Sequence, residues 1–207
     1  MALSLPSDFI GLMKAQLQSD YPAFEQALND ATPVSIRYNP QKLPVLPESF
    51  ASIPWCKSGC YLEQRPVFTT DPLFHAGVYY VQEASSMLIG RMIEEHCDLS
   101  KKLMVLDLCA APGGKSTLVS SLLSPDSVLV SNETIKVRSQ ILKENLVKWG
   151  YPNVIVANHD PKDFETFGPY FDVILVDAPC SGEGMFRKDP NSITEWSLAN
   201  VAQSAGR

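Results

Sequence analysis

The chain has 207 residues, 45% of them hydrophobic, and a formal net charge of −6, a composition typical of a globular protein with a substantial core. No segment approaches the roughly 18 consecutive apolar residues of a membrane span, and the N-terminus lacks the pattern of a secretory signal. We therefore expect a cytoplasmic protein without a membrane partner. Its five cysteines have no repeating spacing, which argues against a disulfide framework.

The acidic residues are concentrated in the first half of the chain. Residues 1–100 contain 6 Lys and Arg against 11 Asp and Glu, whereas residues 101–207 contain 11 against 12. Because nucleic-acid binding depends on Lys and Arg, a surface for a polyanion has to be local or contributed from outside this chain.

Residues 1–75 predict a small α+β appendage. Ser7 is placed to cap a helix that runs to about Leu17, with apolar residues on one face, and a second short helix follows Tyr21-Pro22. Val34–Asn39 alternates like a half-buried strand, and the prolines from Pro40 to Pro72 predict brief strands and loops.

Cys56 and Cys60, separated by three residues, are a conceivable half of a zinc site. No second Cys or His pair completes the four ligands. Small buried residues in a turn are the favoured interpretation, and we expect no metal.

Residues 76–207 predict the N-terminal part of a Rossmann-like domain. A helix over residues 82–97 is followed by strands at 104–109, 127–132, 153–157 and 171–176, with helices at 115–123 and 134–149 and Gly150 as a C-cap. Strands that are apolar throughout and alternate with helices favour an α/β fold with a parallel sheet covered on both faces.

The junction Asp107–Lys115 ends a strand and opens a helix through small residues, which lets a ligand approach the backbone closely. Ser131-Asn132-Glu133 and Asp177-Ala178-Pro179-Cys180 are typical of further strand ends. Because the carboxyl ends of parallel strands meet at one crevice, all three segments should face one ligand.

Two phosphate-binding motifs fit this junction poorly. Gly114-Lys115-Ser116 resembles the end of a P-loop, but Cys109 stands where that motif has its first glycine. A dinucleotide fingerprint needs a third glycine, which is absent. A nucleoside ligand without a pyrophosphate remains.

Three acids suit such a ligand. Glu133 is placed to accept hydrogen bonds from two ribose hydroxyls, Asp160 to meet the adenine amino group, and Asp107 to face an ammonium group. An adenosine that carries an amino group and no phosphate is S-adenosylmethionine. Each acid alone could equally be a solvated cap or turn residue, but three at successive strand ends make coincidence less credible.

These motifs carry a family resemblance. Asp107–Lys115 and Asp177–Gly184, together with Tyr79–Met87 and Arg187–Pro190, resemble the NOL1/NOP2/Sun family of RNA cytosine-5 methyltransferases. Coverage runs from about residue 34 to the end. Ile53-Pro54-Trp55-Cys56 is most similar to the bacterial 16S rRNA branch.

The resemblance implies a Rossmann-like S-adenosylmethionine-dependent methyltransferase that acts on cytosine C5 in RNA, with 16S rRNA or a small-subunit assembly intermediate as its partner. It implies that the cofactor is bound by Cys109, Ala110, Ala111, Pro112, Gly113, Gly114, Lys115, Glu133, Asp160 and Asp177. It also implies that Lys115 and Asp177 lie near the target cytosine and that Cys180 helps to release the product.

In this family a thiolate adds to C6 of cytosine, because C5 is a poor nucleophile, and the target base must be unstacked. The attacking cysteine lies in a Thr-Cys turn, and no Thr-Cys occurs in this chain. We therefore expect a fragment whose sheet is incomplete at its C-terminal side and whose nucleophile lies beyond Arg207. Alternatives are Cys180 as the nucleophile, Cys180 as a buried turn residue, and an inactive cofactor-binding or RNA-binding module.

Overall fold

The computed structural model describes residues 3–44 and 50–206. The helices are α1 (Ser7–Leu17), α2 (Tyr21–Asn29), α3 (Pro72–His75), α4 (Ala84–His96), α5 (Gly114–Leu122), α6 (Lys136–Trp149), α7 (Pro190–Glu195) and α8 (Leu198–Ala205). The strands are β1 (Val34–Tyr38), β2 (Ala51–Ile53), β3 (Cys56–Leu62), β4 (Tyr79–Val81), β5 (Met104–Asp107), β6 (Val128–Asn132), β7 (Val154–Ala157) and β8 (Val173–Leu175). Four 3₁₀ turns lie at Gln18–Asp20, Phe68–Thr70, Pro161–Phe167 and Glu183–Met185.

The chain divides into two compact units, Met1–Thr32 with Ala178–Arg207, and Pro33–Asp177. The predicted division at residue 75 concerns folding domains and stays a prediction. None of the described helices is both long and apolar enough to cross a membrane.

The first unit has a core of aromatic rings. Phe9 of α1 meets Phe186 and Trp196 edge to face, with ring centroids 5.0 and 5.6 Å apart. The Trp196 indole donates to Glu183 Oε1 at 2.8 Å. These contacts join the first helices of the chain to its last ones.

The second unit begins with an antiparallel sheet of order β2-β3-β1-β4. Ile36, Tyr38, Cys60 and Tyr79 share a buried cluster on this sheet with Phe68. The prediction of brief strands between Pro40 and Pro72 is confirmed for the described part, and residues 45–49 of that segment lie outside it.

Cys56 and Cys60 lie in strand β3 rather than in the expected turn. Both are buried, and the Cys60 thiol is fully inaccessible. Burial raises the pKa of Cys60 to about 11, so this thiol stays neutral and packs as a small apolar group.

The rest of this unit contains a parallel sheet of order β7-β6-β5-β8, so the predicted α/β class is confirmed. Strand β5 lies between β6 and β8, with Asp107 opposite Ser131 and Leu175. Since β6 and β7 continue the sheet on one side and β8 on the other, the order reverses at β5, which is where a crevice opens in such sheets.

One face of this sheet carries the main core. Val105 and Leu129 pack there with Ile93 of α4 and Val119 of α5. The predicted cover on both faces is wrong for the outer strands of the described sheet, because Ile155, Ile174 and Val176 are 55–57% exposed, whereas Leu106 of the central strand, in the same row, is buried. The described helices pack against the apolar side chains of one face of the sheet only.

Candidate active site

The turn between β5 and α5 is shaped by a glycine. Gly113 has φ 110°, a backbone conformation that glycine adopts without steric cost. A Cβ there would also lie 3.3 Å from Leu142 Cδ1. Gly114 then begins α5, so the first residues of the helix are presented at the end of the central strand.

Asp107 ends β5 as a buried carboxylate, 1% exposed. Its Oδ2 accepts from Ser116 Oγ at 2.6 Å, while Oδ1 has no hydrogen-bond partner among the described residues. Burial raises the pKa of Asp107 to about 6, while the Ser116 hydrogen bond, nearby Lys115 and the backbone N–H of Cys109, which makes no hydrogen bond to Oδ1, lower it. A buried acceptor with one free oxygen suits a cationic donor of a ligand.

Lys115 and Asp177 come together across the crevice between α5 and the end of β8. The Lys115 ammonium donates to Asp177 Oδ2. The lysine side chain is 23% exposed and the aspartate 56%, so the pair lies at the rim of the site. It combines a proton donor with a carboxylate where a substrate could reach both.

Glu133 follows β6 and is 4% exposed. Its Oε1 accepts from the Ile135 N–H at 2.9 Å, and Oε2 lies 3.3 Å from Arg138 Nη1. Arg138 also donates to the Ala111 carbonyl at 3.0 Å. The carboxylate is thus held from two sides, and each oxygen retains a lone pair for a ligand hydroxyl.

Asn132 joins the strand ends to one another. Its amide donates to the Leu108 and His159 carbonyls at 3.2 and 3.0 Å and accepts from the His159 N–H at 3.0 Å. Asp160 comes next, exposed, and caps the following 3₁₀ turn by accepting from the Lys162 N–H at 3.0 Å. The ends of β5, β6 and β7 are therefore linked through one buried amide.

The cysteines of the two motifs have different environments. Burial, with nearby carboxylates such as Asp107 and Glu133, raises the pKa of Cys109, so its thiol is a poor nucleophile at neutral pH. Cys180 belongs to the other unit and is exposed. The interpretation of Cys180 as a buried turn residue is wrong.

The motifs did not identify Arg138, and they placed Asn132 at a strand end without predicting that it links the strand ends to one another. Asn132 stands directly before Glu133 at a strand end, where a polar side chain is a recognisable signal. Arg138 lies five residues beyond Glu133, on the first turns of α6. Its contact with Ala111 spans 27 residues, and no local pattern predicts it.

The sheet order and the acids at its strand ends define a Rossmann-like α/β protein with a nucleoside-type crevice. The family model of the 16S rRNA methyltransferase RsmB/F matches residues 96–206, and the chain belongs to this family. The model of the N-terminal domain of 16S rRNA methyltransferase RsmF matches residues 5–84, which confirms the predicted bacterial 16S rRNA branch.

Curated relatives agree with this assignment. The ribosomal RNA small subunit methyltransferase F of Pectobacterium atrosepticum is 34% identical over 98% of this chain and 45% of its own length. That of Aeromonas salmonicida is 34% identical over 97% and 45%. The chain therefore spans about half the length of these relatives.

Solved structures show the same fold. A methyltransferase homolog protein from Pyrococcus horikoshii is 29% identical, with a TM-score of 0.66 over 84% of this chain and 59% of its own. The structure of NSun6 from Pyrococcus horikoshii with SFG covers all of this chain and 78% of its own, with a TM-score of 0.74 and 16% identity. The second likeness concerns the fold alone.

Proposed function

We propose that this chain is part of an S-adenosylmethionine-dependent RNA cytosine-5 methyltransferase that acts on 16S rRNA. The supporting observation is the buried Asp107 carboxylate with one free oxygen, in electrostatic contact with the Lys115–Asp177 pair. Family membership supplies the reaction class. The proposed partner is 16S rRNA or a small-subunit assembly intermediate in the cytoplasm, and its target base must leave the stack to be modified.

The residues present fit this cofactor. Asp107 Oδ1 would accept a hydrogen bond from the ammonium group of the cofactor, and Glu133 would accept from its ribose hydroxyls. The turn at residues 109–115 would lie against the part of the cofactor between these two groups. Asp160, whose Oδ1 already holds a backbone N–H, would bind the adenine amino group. When bound, the cofactor supplies the methyl group.

Lys115 and Asp177 are proposed to act on the target cytosine. Asp177 can accept a hydrogen bond from an exocyclic amine or, when protonated, donate to a ring nitrogen. Lys115 neutralises the carboxylate and can stabilise negative charge that develops on the ring. Cys180 is proposed to assist product release, which requires that its exposed thiol reach the modified base.

The role of Glu133 is tested by titrating the chain with S-adenosylmethionine in a calorimeter. Glu133→Ala removes a charged acceptor for two hydroxyls, each bond worth roughly 1.5–3 kcal/mol. We expect affinity to fall at least about tenfold. Glu144→Ala, which removes an exposed acid of α6, is the matched control and should bind as the unaltered chain does. Equal affinity of the two variants would remove Glu133 from the site.

A cofactor-binding module without catalysis is the second candidate function. It is favoured by the absence of a Thr-Cys pair from the 207 residues. Methyl transfer to cytosine-containing 16S rRNA decides between the two, measured for this chain and for a version extended past Arg207. Transfer by the extended version supports the methyltransferase, whereas cofactor binding without transfer in either supports the module.

A further inference from the structure

Arg37 of β1 is a fully buried guanidinium beneath the start of α5. Its Nε donates to Gln82 Oε1 at 2.8 Å. Its Nη2 donates to the Gly114 carbonyl at 3.2 Å and to Thr117 Oγ1 at 2.6 Å. The guanidinium also lies over the Trp149 indole, 4.6 Å from the ring centroid. The Arg37 side chain thus connects strand β1 of the antiparallel sheet with helices α5 and α6.

This position is costly for a cation. Its hydrogen-bond acceptors are neutral, no ion pair joins it to a carboxylate among residues 3–44 and 50–206, and burial lowers the pKa of Arg37 to about 10. The N-terminus of α5 also carries the positive end of the helix dipole, which disfavours a nearby cation. An apolar side chain would avoid the desolvation penalty, so stability alone is a poor reason for an arginine here.

The contact with Gly114 offers a better reason. Gly114 directly precedes Lys115, and its carbonyl belongs to the peptide bond from which Lys115 continues. Holding that carbonyl limits rotation of the peptide and so the direction in which the Lys115 side chain leaves the helix. That side chain ends on Asp177.

We propose that Arg37 is a positioning residue for Lys115: by holding the Gly114 carbonyl, it aims the lysine at Asp177. The part of this inference that concerns methyl transfer rests on the proposed function. The geometric part concerns the Lys115–Asp177 pair itself, and it can be tested on the chain without cofactor or RNA.

The test is competitive acetylation of lysines with acetic anhydride, quantified by peptide mass spectrometry. An amine held in an ion pair is acetylated slowly, and it reacts faster when the pair loosens. In Arg37→Met we expect Lys115 to react about two- to fivefold faster. The reference is Lys57, whose side chain is 92% exposed and whose ion pair with Glu94 at 3.9 Å is kept in every variant.

Lys42→Met is the matched control. It also removes a cation that donates to two carbonyls, those of Ala76 and Lys148 at 2.7 Å each, but at an exposed position that does not touch α5. We expect no change at Lys115 in Lys42→Met, and a partial return to the slow rate in Arg37→Lys. An unchanged rate in Arg37→Met, or an equal rise in Lys42→Met, would overturn the proposal.

Gln82→Met covers the case in which Arg37→Met does not fold. It removes the acceptor of Arg37 Nε, 2.8 Å away, and leaves the charge and both hydrogen bonds of Thr117 Oγ1 to the Gly113 and Gly114 carbonyls in place. A smaller rise at Lys115 is expected, and an unchanged rate then contradicts the proposal. The proposed function has its own test, because cofactor titration of the unaltered chain can fail while the acetylation result stands, and the reverse.

Discussion

At the scale of single residues, Asp107 links the stability of the protein to pH. Its pKa, about 6 in the folded chain, lies above the ordinary value of 3.8 because the carboxyl is buried. The folded state therefore binds the proton more tightly than the unfolded state does. This contribution to stability is fully present below about pH 3.8 and is lost as the pH rises through 6.

Asp107→Asn should remove that dependence. Relative to the variant, we expect the unaltered chain to lose roughly 2–3 kcal/mol of unfolding free energy between pH 4 and pH 7. Urea unfolding of both proteins at several pH values measures the two free energies of unfolding. Subtracting one from the other removes the effect of the other carboxylates, which titrate in both proteins. A difference that stays constant with pH would show that Asp107 has an ordinary pKa.

At the scale of elements, the antiparallel sheet is attached to the C-terminus of α6. Asn39 donates to the Trp149 carbonyl at 2.7 Å, and Lys42 donates to that of Lys148 at 2.7 Å. The last carbonyls of a helix lack hydrogen-bond donors within the helix. Here the residues that follow strand β1 supply the donors. Gly77, between α3 and β4, comes so close that a Cβ would lie 2.2 Å from the Lys148 carbonyl oxygen.

Gly77→Ala should therefore be strongly destabilising. It combines a left-handed φ of 65° with a backbone clash, for a loss of about 3 kcal/mol or more. Gly182→Ala is the control, because Gly182 has a left-handed backbone of φ 90° and ψ 8° but open space around it, and it should cost about 1–2 kcal/mol. Denaturant unfolding of both variants checks this, and similar losses would mean that the sheet can move away from α6.

At the scale of the whole molecule, the parallel sheet is covered on one face by the described residues. Strand β8 is also at its edge, paired to β5 alone in the described sheet. Exposed apolar edges promote association between chains. Ile174 and Val173 are adjacent on β8, but Ile174 is 56% exposed whereas Val173 packs against the main core.

Two substitutions on β8 separate the faces. Ile174→Thr keeps the β-branch and should reduce aggregation, followed by light scattering, with less than about 0.5 kcal/mol change in unfolding free energy. Val173→Thr should destabilise by about 1–2 kcal/mol, because it buries a hydroxyl in the core. Equal destabilisation by both would indicate that the Ile174 face is also packed.

The sequence by itself determined the long helices, the strands of the parallel sheet and the chemistry of the strand ends, but not the short elements α3, β4 and α7. Helix α1 ends at Leu17 as predicted, although Ser7 is its first residue and not its cap. Gly150 caps α6 with a left-handed φ of 94°, and the glycines of the turn indicated a close backbone approach. These features are local, because periodicity, caps and turns depend on residues a few positions apart. The motifs also sufficed to indicate the family.

Only the tertiary structure decided which side chains meet. Arg37 reaches Gly114 across 77 residues, Lys115 reaches Asp177 across 62, and Arg138 holds Glu133 and Ala111 together. It also joined the first helices to the last ones in one unit. Such contacts depend on how the sheets and helices pack, and the hydrophobic pattern of a segment specifies which face it buries but not which distant group it meets there.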